Sequence, residues 1–301
     1  MTLTDARKKF LRHCRSAVSL SPHTLRAYCS DLDDTQKYFG LRKKFDAVDK
    51  DHLRQYIRHL REHRRFKETT IKRRLASLKL LFKWAIQEEF IQINPFDSLN
   101  ERIRLPKRLP RGLDRGDQVT LRKAVAFNLR TDDFDMIRGK TAIHLLLDTG
   151  IRIGELVAIN LDDLSLTNSC LVINGKGNRQ RLVYLLQKPL YRKIEQYLTW
   201  RKSVPTITEK LFVNSNGRAI LPPSVRVALK DIAQNAGVSK HVTPHMLRHT
   251  CATQWLEAGL DIRYVQKLLG HQSISTTEIY THVSDQGLRE ALFRVAGAQK
   301  R

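Results

Sequence analysis

A chain of 301 residues with 54 Lys and Arg against 30 Asp and Glu, net +24, has length for two cored domains and points to a polyanionic partner, most simply nucleic acid. A hydrophobic content of 41% excludes a disordered chain, no apolar run approaches the ~18 residues of a membrane span, and the charged start (Asp5, Arg7, Lys8, Lys9) is no secretory signal. The four cysteines (Cys14, Cys29, Cys170, Cys251) are scattered without paired spacing, which speaks for a reducing cytoplasm and against a disulfide scaffold or a cysteine zinc site.

The first 110 residues hold 26 basic side chains against 13 acidic ones, the denser positive surface of the chain. Their periodicity predicts helices throughout. A first helix follows Thr2 or Thr4, with Ala6, Phe10, Cys14 and Ala17 along one side. Ser21 and Pro22 read as N-cap and first helical position of a second, where the missing N–H of proline costs nothing; Leu25, Tyr28 and Leu32 continue it. Asp49 caps a third, whose Leu53, Tyr56, Ile57 and Leu60 fall at i, i+3, i+4 and i+7. A fourth carries Ile71, Leu75, Leu78, Phe82 and Ala85 on one stripe and Lys72, Arg73, Lys79 and Lys83 on the other, and stops before Asn94-Pro95. Four amphipathic helices with short connections make a small all-α bundle over residues 1–105.

Between Asn100 and Gln118 the pattern breaks. Two prolines, two glycines and six basic residues predict a basic linker over 106–118, either lying along a phosphate backbone or merely solvated. Residues 119–301 are mixed. Helical periodicity from Ile137 to Leu147 runs into Asp148-Thr149-Gly150, and another helix starts near Ile153 with Leu156, Val157 and Ile159 behind it. Cys170 to Ile173, the turn Gly175-Lys176-Gly177-Asn178, and Arg181 to Leu185 form a hairpin signal. Helices follow at about 187–201, 223–236, 244–257 and 262–269. A last one after Ser284 aligns Leu288, Ala291, Leu292 and Val295. The expected fold is mainly α with a small β-sheet, an α+β domain behind an all-helical N-terminal one.

The residues able to do chemistry fall in the second domain. Arg152, in T-G-I-R-I-G-E-L, opens a helix, where a cation opposes the macrodipole. Either Glu155 pairs with it at the surface, or Glu155 holds the guanidinium aimed into a cleft; both readings stand. Lys176 sits in a glycine-flanked turn, an ordinary place for a solvated lysine and also one where backbone approaches a ligand closely. Thr243 caps and Pro244 opens a helix that puts His245 and Arg248 on one face at its start. His249 invites a zinc reading with His245, but the zincin pattern needs Glu where Met246 stands, and Cys251 lies on another side. His271 follows the helix-ending Gly270, where an imidazole complements the dipole, and Tyr280 between Ile279 and Val283 reads as core. Taken singly, these bland readings hold.

Taken jointly they do not. T-G-I-R-I-G-E-L, N-G-K-G-N-R-Q-R, H-M-L-R-H-T-C-A-T, L-L-G-H-Q-S-I-S-T-T and I-Y-T-H-V carry the order Arg, Lys, His-x-x-Arg, His, Tyr from Arg152 to Tyr280. Over nearly its whole length the chain resembles the tyrosine recombinases of the phage-integrase and Xer type. Tyr184, where relatives often carry proline, and Cys251, in place of a usual aromatic, depart from the pattern without touching those six positions. The 69 residues from Lys176 to His245 leave no room for the helical insertion of integron integrases, so the resemblance is to the Xer-like, transposon or phage subgroup.

The resemblance implies a core-binding domain in front, a catalytic domain behind, and site-specific recombination of duplex DNA through a 3′-phosphotyrosyl intermediate. Relaxation of supercoils by a type IB topoisomerase is the rival. The implied catalytic set is Arg152, Lys176, His245, Arg248, His271 and Tyr280. A five-coordinate phosphorane gathers negative charge that two planar guanidinium forks and two imidazoles match. Lys176 would give a proton to the leaving 5′ oxygen, and Tyr280 would attack phosphorus. Bond energy is kept, so no ATP, metal or other cofactor is expected. The implied partners are double-stranded DNA and further copies of the chain, a tetramer on two DNA sites; the resemblance favours a tail helix docking in trans, and folding in cis stays open. A second recombinase or an accessory DNA-bending protein stays open, no membrane is implied, and the expected location is the cytoplasm, at the nucleoid. The DNA sequence recognised and the biological task (integration, excision, dimer resolution or transposition) also stay open.

Overall fold

In the computed structural model, which describes residues 1–17, 20, 22–101, 103, 112–126, 133–175 and 179–270, the chain divides into two units, Met1–Arg108 and Leu109–Arg301. Each has its own hydrophobic core.

In the first unit, α1 (Leu3–Ser16) begins where a threonine satisfies its free N–H groups. The Thr2 hydroxyl accepts the Asp5 N–H at 3.1 Å, and the Asp5 carboxylate accepts the Thr2 N–H at 3.3 Å. Ala6, Phe10 and Cys14 are buried as expected; Ala17, expected on the same stripe, is the exposed C-cap residue. α2 (Pro22–Phe39) starts at the expected proline, while Ser21, its expected cap, lies outside the described residues. Asp49 caps α3 (Lys50–Arg58) by accepting the N–H groups of Asp51 and His52, and the helix runs on into a π-turn at His59–His63. Leu53, Tyr56, Ile57 and Leu60 are all inaccessible to solvent or nearly so. α4 (Glu68–Gln87) buries its apolar stripe and leaves Lys72, Arg73, Lys79 and Lys83 exposed. It ends earlier than Asn94-Pro95, because the chain turns at Glu89 with a positive φ of 57°.

The second unit opens with a correction. Residues 115–118, expected as linker, form the first turn of α5 (Arg115–Ala126). The Asp114 carboxylate accepts the Asp117 N–H at 2.9 Å, and Leu113 is buried, its N–H donating to Thr250 Oγ1 at 2.9 Å. The side-chain cap supplies what Gly112 and Gly116 conceal in the composition.

α6 (Phe134–Thr149) is buried on every side from Gly139 to Leu147, with Ile143, Leu145, Leu146 and Leu147 in close succession, the pattern of a helix covered all round. It packs against α5, α8 (Lys188–Lys202), α9 (Pro222–Asn235) and α10 (Pro244–Glu257). Each fully buried Leu or Ile there contributes about 1.5–3 kcal/mol. α7 (Ile153–Ala158) follows α6 at once. The sheet is antiparallel in the order β1 (Leu164–Ser165), β2 (Cys170–Asn174), β3 (Gln180–Tyr184), with Leu171 opposite Val183 and Ile173 opposite Arg181. β1 is two residues long, too short for a periodic signal. α11 (Ile262–Leu269) completes the described helices, and α8 to α11 begin and end within a residue or two of expectation. The hairpin tip 176–178 and the expected tail helix after Ser284 lie outside the described residues. Among the described residues, no helix is long and apolar enough to cross a membrane.

Candidate active site

Gly150 ends α6 in the left-handed region (φ 61°), and two residues later Arg152 stands at the N-cap of α7. A cation there opposes the helix dipole, a cost of about 0.3–1 kcal/mol that needs an offset. Glu155 supplies it: its carboxylate accepts the Arg152 backbone N–H and Nη1, both at 2.8 Å. This is not a surface pair. The Glu155 side chain is only 8% exposed, and it is shared with Arg181 of β3, whose Nη2 and Nη1 donate at 2.7 and 3.1 Å. The structure therefore selects the reading in which a buried carboxylate holds the guanidinium toward a cleft, and Arg152 is 41% exposed there.

Thr243 caps α10 by accepting the Met246 N–H, Pro244 opens it, and Arg248 lies one turn on, 4% exposed. Its Nη1 donates to Gly150 O and its Nη2 to Leu269 O, each at 2.7 Å. The last carbonyls of α11 gather all three arginines. Leu268 O accepts Arg181 Nε at 2.8 Å, and Leu269 O accepts Arg152 Nη1 at 3.4 Å as well as Arg248. Gly270 O accepts Arg152 Nη2 at 3.3 Å. Cations at the negative end of a helix whose terminal carbonyls lack intrahelical partners are well placed electrostatically. The result is that Arg152 and Arg248 meet on one oxygen.

A cleft of about 1540 Å³ opens beside them, lined by Arg152, Arg181, His245, Gly175, Arg179 and Gly270 among others. Of the six expected catalytic residues, Arg152 and His245 line the cleft, and the buried Arg248 joins Arg152 through the Leu269 carbonyl; Lys176, His271 and Tyr280 lie outside the described residues. His245 is exposed, and His249 is half-buried, its imidazole held below the ordinary value by burial. Among the described residues, no three His, Cys, Asp or Glu side chains gather as metal ligands would. Cys251 is buried and its thiol is pushed up by desolvation. Tyr184 is exposed on the wall of the cleft.

The sequence reading passed over Arg181. The strand period carried the signal: Arg181 shares its face with Val183 and Leu185, both buried, so a charge points inward and requires a partner. Gly270 is the hinge of the cluster. At φ 67° a Cβ would come within 3.0 Å of Arg181 Nη1 and 3.2 Å of its Cζ. Gly270→Ala is expected to cost about 1–3 kcal/mol in denaturant unfolding, through backbone strain and displacement of that guanidinium.

Burial by itself would raise the Glu155 carboxyl, but the hydrogen bonds from Arg181 and from the Arg152 backbone and side chain, with the Arg181 charge, outweigh it and hold it below the usual range. A depressed carboxylate contributes stability above its unfolded value and loses it as pH falls through the folded one. Glu155→Gln is accordingly expected to cost about 1.5–3 kcal/mol at pH 7, and denaturant midpoints of parent and variant should converge as the pH drops below the glutamate range.

The Phage integrase family model matches residues 120–287, and the model of the phage integrase N-terminal SAM-like domain matches residues 8–89. Tyrosine recombinase XerC of Chlamydia pneumoniae is 32% identical over 300 residues, covering 91% of this chain and 93% of that protein. Tyrosine recombinase XerC of Thermodesulfovibrio yellowstonii is 35% identical over 287 residues, covering 93% and 92%. The solved structure of the XerH site-specific recombinase bound to a palindromic difH substrate, a post-cleavage complex, shares the fold with a TM-score of 0.78 at 23% identity, over 96% of this chain and 84% of that one. With the arginine cluster in place and these matches spanning both units, the chain belongs to the phage integrase family, the tyrosine recombinases.

Proposed function

We propose that this recombinase cuts and rejoins duplex DNA at the cleft beside α7, β3 and α10, with Arg152, Lys176, His245, Arg248, His271 and Tyr280 as its catalytic groups. The observation that carries this reading is the meeting of two guanidinium groups on the Leu269 carbonyl at the cleft. Two guanidinium forks gathered this way match the non-bridging oxygens of one phosphate, where charge grows in the transition state. His245 lines the same cleft, and the residues just before Lys176 and His271 (Gly175 and Gly270) line it too.

In the first step the Tyr280 oxygen bonds to phosphorus and the bond from phosphorus to the 5′ oxygen breaks. The phenolic proton passes to an imidazole, and the leaving oxygen takes a proton from Lys176. The 3′-phosphotyrosyl bond keeps the free energy of the phosphodiester, and attack by a 5′ hydroxyl from a second strand reverses the step. The exposed basic face of α4 suits the phosphate backbone. Four copies on two DNA sites, coupled through the segment after Ser284, suit an exchange of four strands, and a chromosomal substrate places the protein in the cytoplasm at the nucleoid.

Trapping on genomic fragments tests the reading. Denatured complexes should retain covalently attached DNA, sequencing of the attached ends should return one recurrent site, and the DNA-linked peptide should contain Tyr280 by mass spectrometry. Attachment through another residue, or no attachment, overturns it.

A further inference from the structure

Arg248 is the first rung of a ladder. Every third residue of α10 from this point meets the end of α6 or its partner. Arg248 Nη1 donates to Gly150 O at 2.7 Å, the Cys251 thiol lies 3.7 Å from Asp148 O, and Gln254 Oε1 accepts from Arg122 Nη2 at 3.2 Å. Arg122, on α5, closes the ladder: its guanidinium pairs with the Asp148 carboxylate, which is 5% exposed, and reaches Leu147 O at 3.5 Å. His144, one turn earlier on α6 and equally buried, sets Nε2 3.3 Å from the other Asp148 oxygen, and Gln118 accepts from the Gln254 amide. None of Arg122, His144, Asp148 or Gln254 lines the cleft.

A network of this kind is a poor device for stability alone. Desolvating a carboxylate and a guanidinium cancels most of their attraction, and an apolar cluster of the same volume does as well. What it discriminates is register. Sliding α10 along α6 by one residue would break all three rungs and leave Asp148 buried with a misplaced partner. The same slide would take the Arg248 fork off the Gly150 and Leu269 carbonyls.

We propose that Asp148 and Arg122 are positioning residues for DNA cleavage: they lock α10 against the end of α6 in the register that aims the Arg248 guanidinium. The inference rests on the reading of Arg248 as a phosphate-binding catalytic group.

A double-mutant cycle in the full chain tests it, reading single-turnover cleavage at saturating protein, DNA affinity and thermal midpoint. Asp148→Asn is expected to slow cleavage about tenfold or more while DNA affinity changes less than about threefold, and to have no further effect once Arg248→Lys is present. Gln254→Ala, which removes one rung without unpairing a buried charge, is expected to slow cleavage about threefold with the same dependence on Arg248, so the idea stays testable should Asp148→Asn fail to fold. Arg122→Lys should recover part of the activity that Arg122→Ala loses. Cleavage losses that persist undiminished in the Arg248→Lys background overturn the inference, as does full activity of Asp148→Asn and Gln254→Ala. Full activity of Arg248→Lys itself sinks the catalytic reading instead, so the two failures are distinguishable.

Discussion

Tyr280→Phe is expected to bind its DNA site with the affinity of the parent and to leave no protein–DNA adduct on a denaturing gel. The change deletes one oxygen and keeps the ring, so packing loses nothing larger than a hydroxyl. Affinity for DNA comes from cations that the substitution does not touch, including the exposed Lys72, Lys79 and Lys83 of α4. The chemistry has no substitute. In the proposed mechanism a phenol, ordinarily near pKa 10, is the nucleophile, and guanidinium groups bound at the same phosphate would favour its anionic form. Ten residues separate Gly270 from Tyr280, a stretch that spans at most about 35 Å, so the ring belongs to a segment that starts at the arginine cluster. An adduct that persists in the variant would assign the nucleophile elsewhere.

Arg248→Lys is expected to lower the cleavage rate about 10²–10³-fold with DNA binding retained, measured by single-turnover cleavage beside a binding titration. Arg248 is 4% exposed and spends one N–H from each terminal nitrogen on Gly150 O and Leu269 O. A guanidinium has five N–H donors in one plane, so one side chain can bridge carbonyls of two elements and present a flat edge to an anion. An ammonium has three at a point. It cannot bridge carbonyls from α6 and α11 and face a phosphate at once, and burial lowers its proton affinity. Cleavage at the parent rate would contradict the fork argument.

The N-terminal stripes and their caps at Thr2 and Asp49 were legible because each depends on residues three or four apart. So were α6, α7 and the hairpin strands, whose periods are short. α5 was hidden because Gly112, Gly116 and the basic run weigh against helix in composition, while the cap from Asp114 and the burial of Leu113 favour it in space. At the site, the motif boxes pointed to Arg152, His245 and Arg248, of which the first two line the cleft and the third meets Arg152 on the Leu269 carbonyl. Arg181 stands in the box N-G-K-G-N-R-Q-R but drew no expected role there, and Glu155 was legible only as one of two readings.

The sequence by itself determined where the helices other than α5 and the hairpin strands run, the glycine stops at Gly150 and Gly270, and the order of the six expected catalytic residues. All of these are properties of spacing along the chain. Only the tertiary structure decided that Glu155 is buried between two arginines, that Arg152 and Arg248 share the Leu269 carbonyl, and that Arg122 reaches Asp148. Those contacts join positions 26 and 117 residues apart as well as neighbouring turns. Whether a charge is exposed or enclosed depends on which distant elements pack over it, and no local spacing records that.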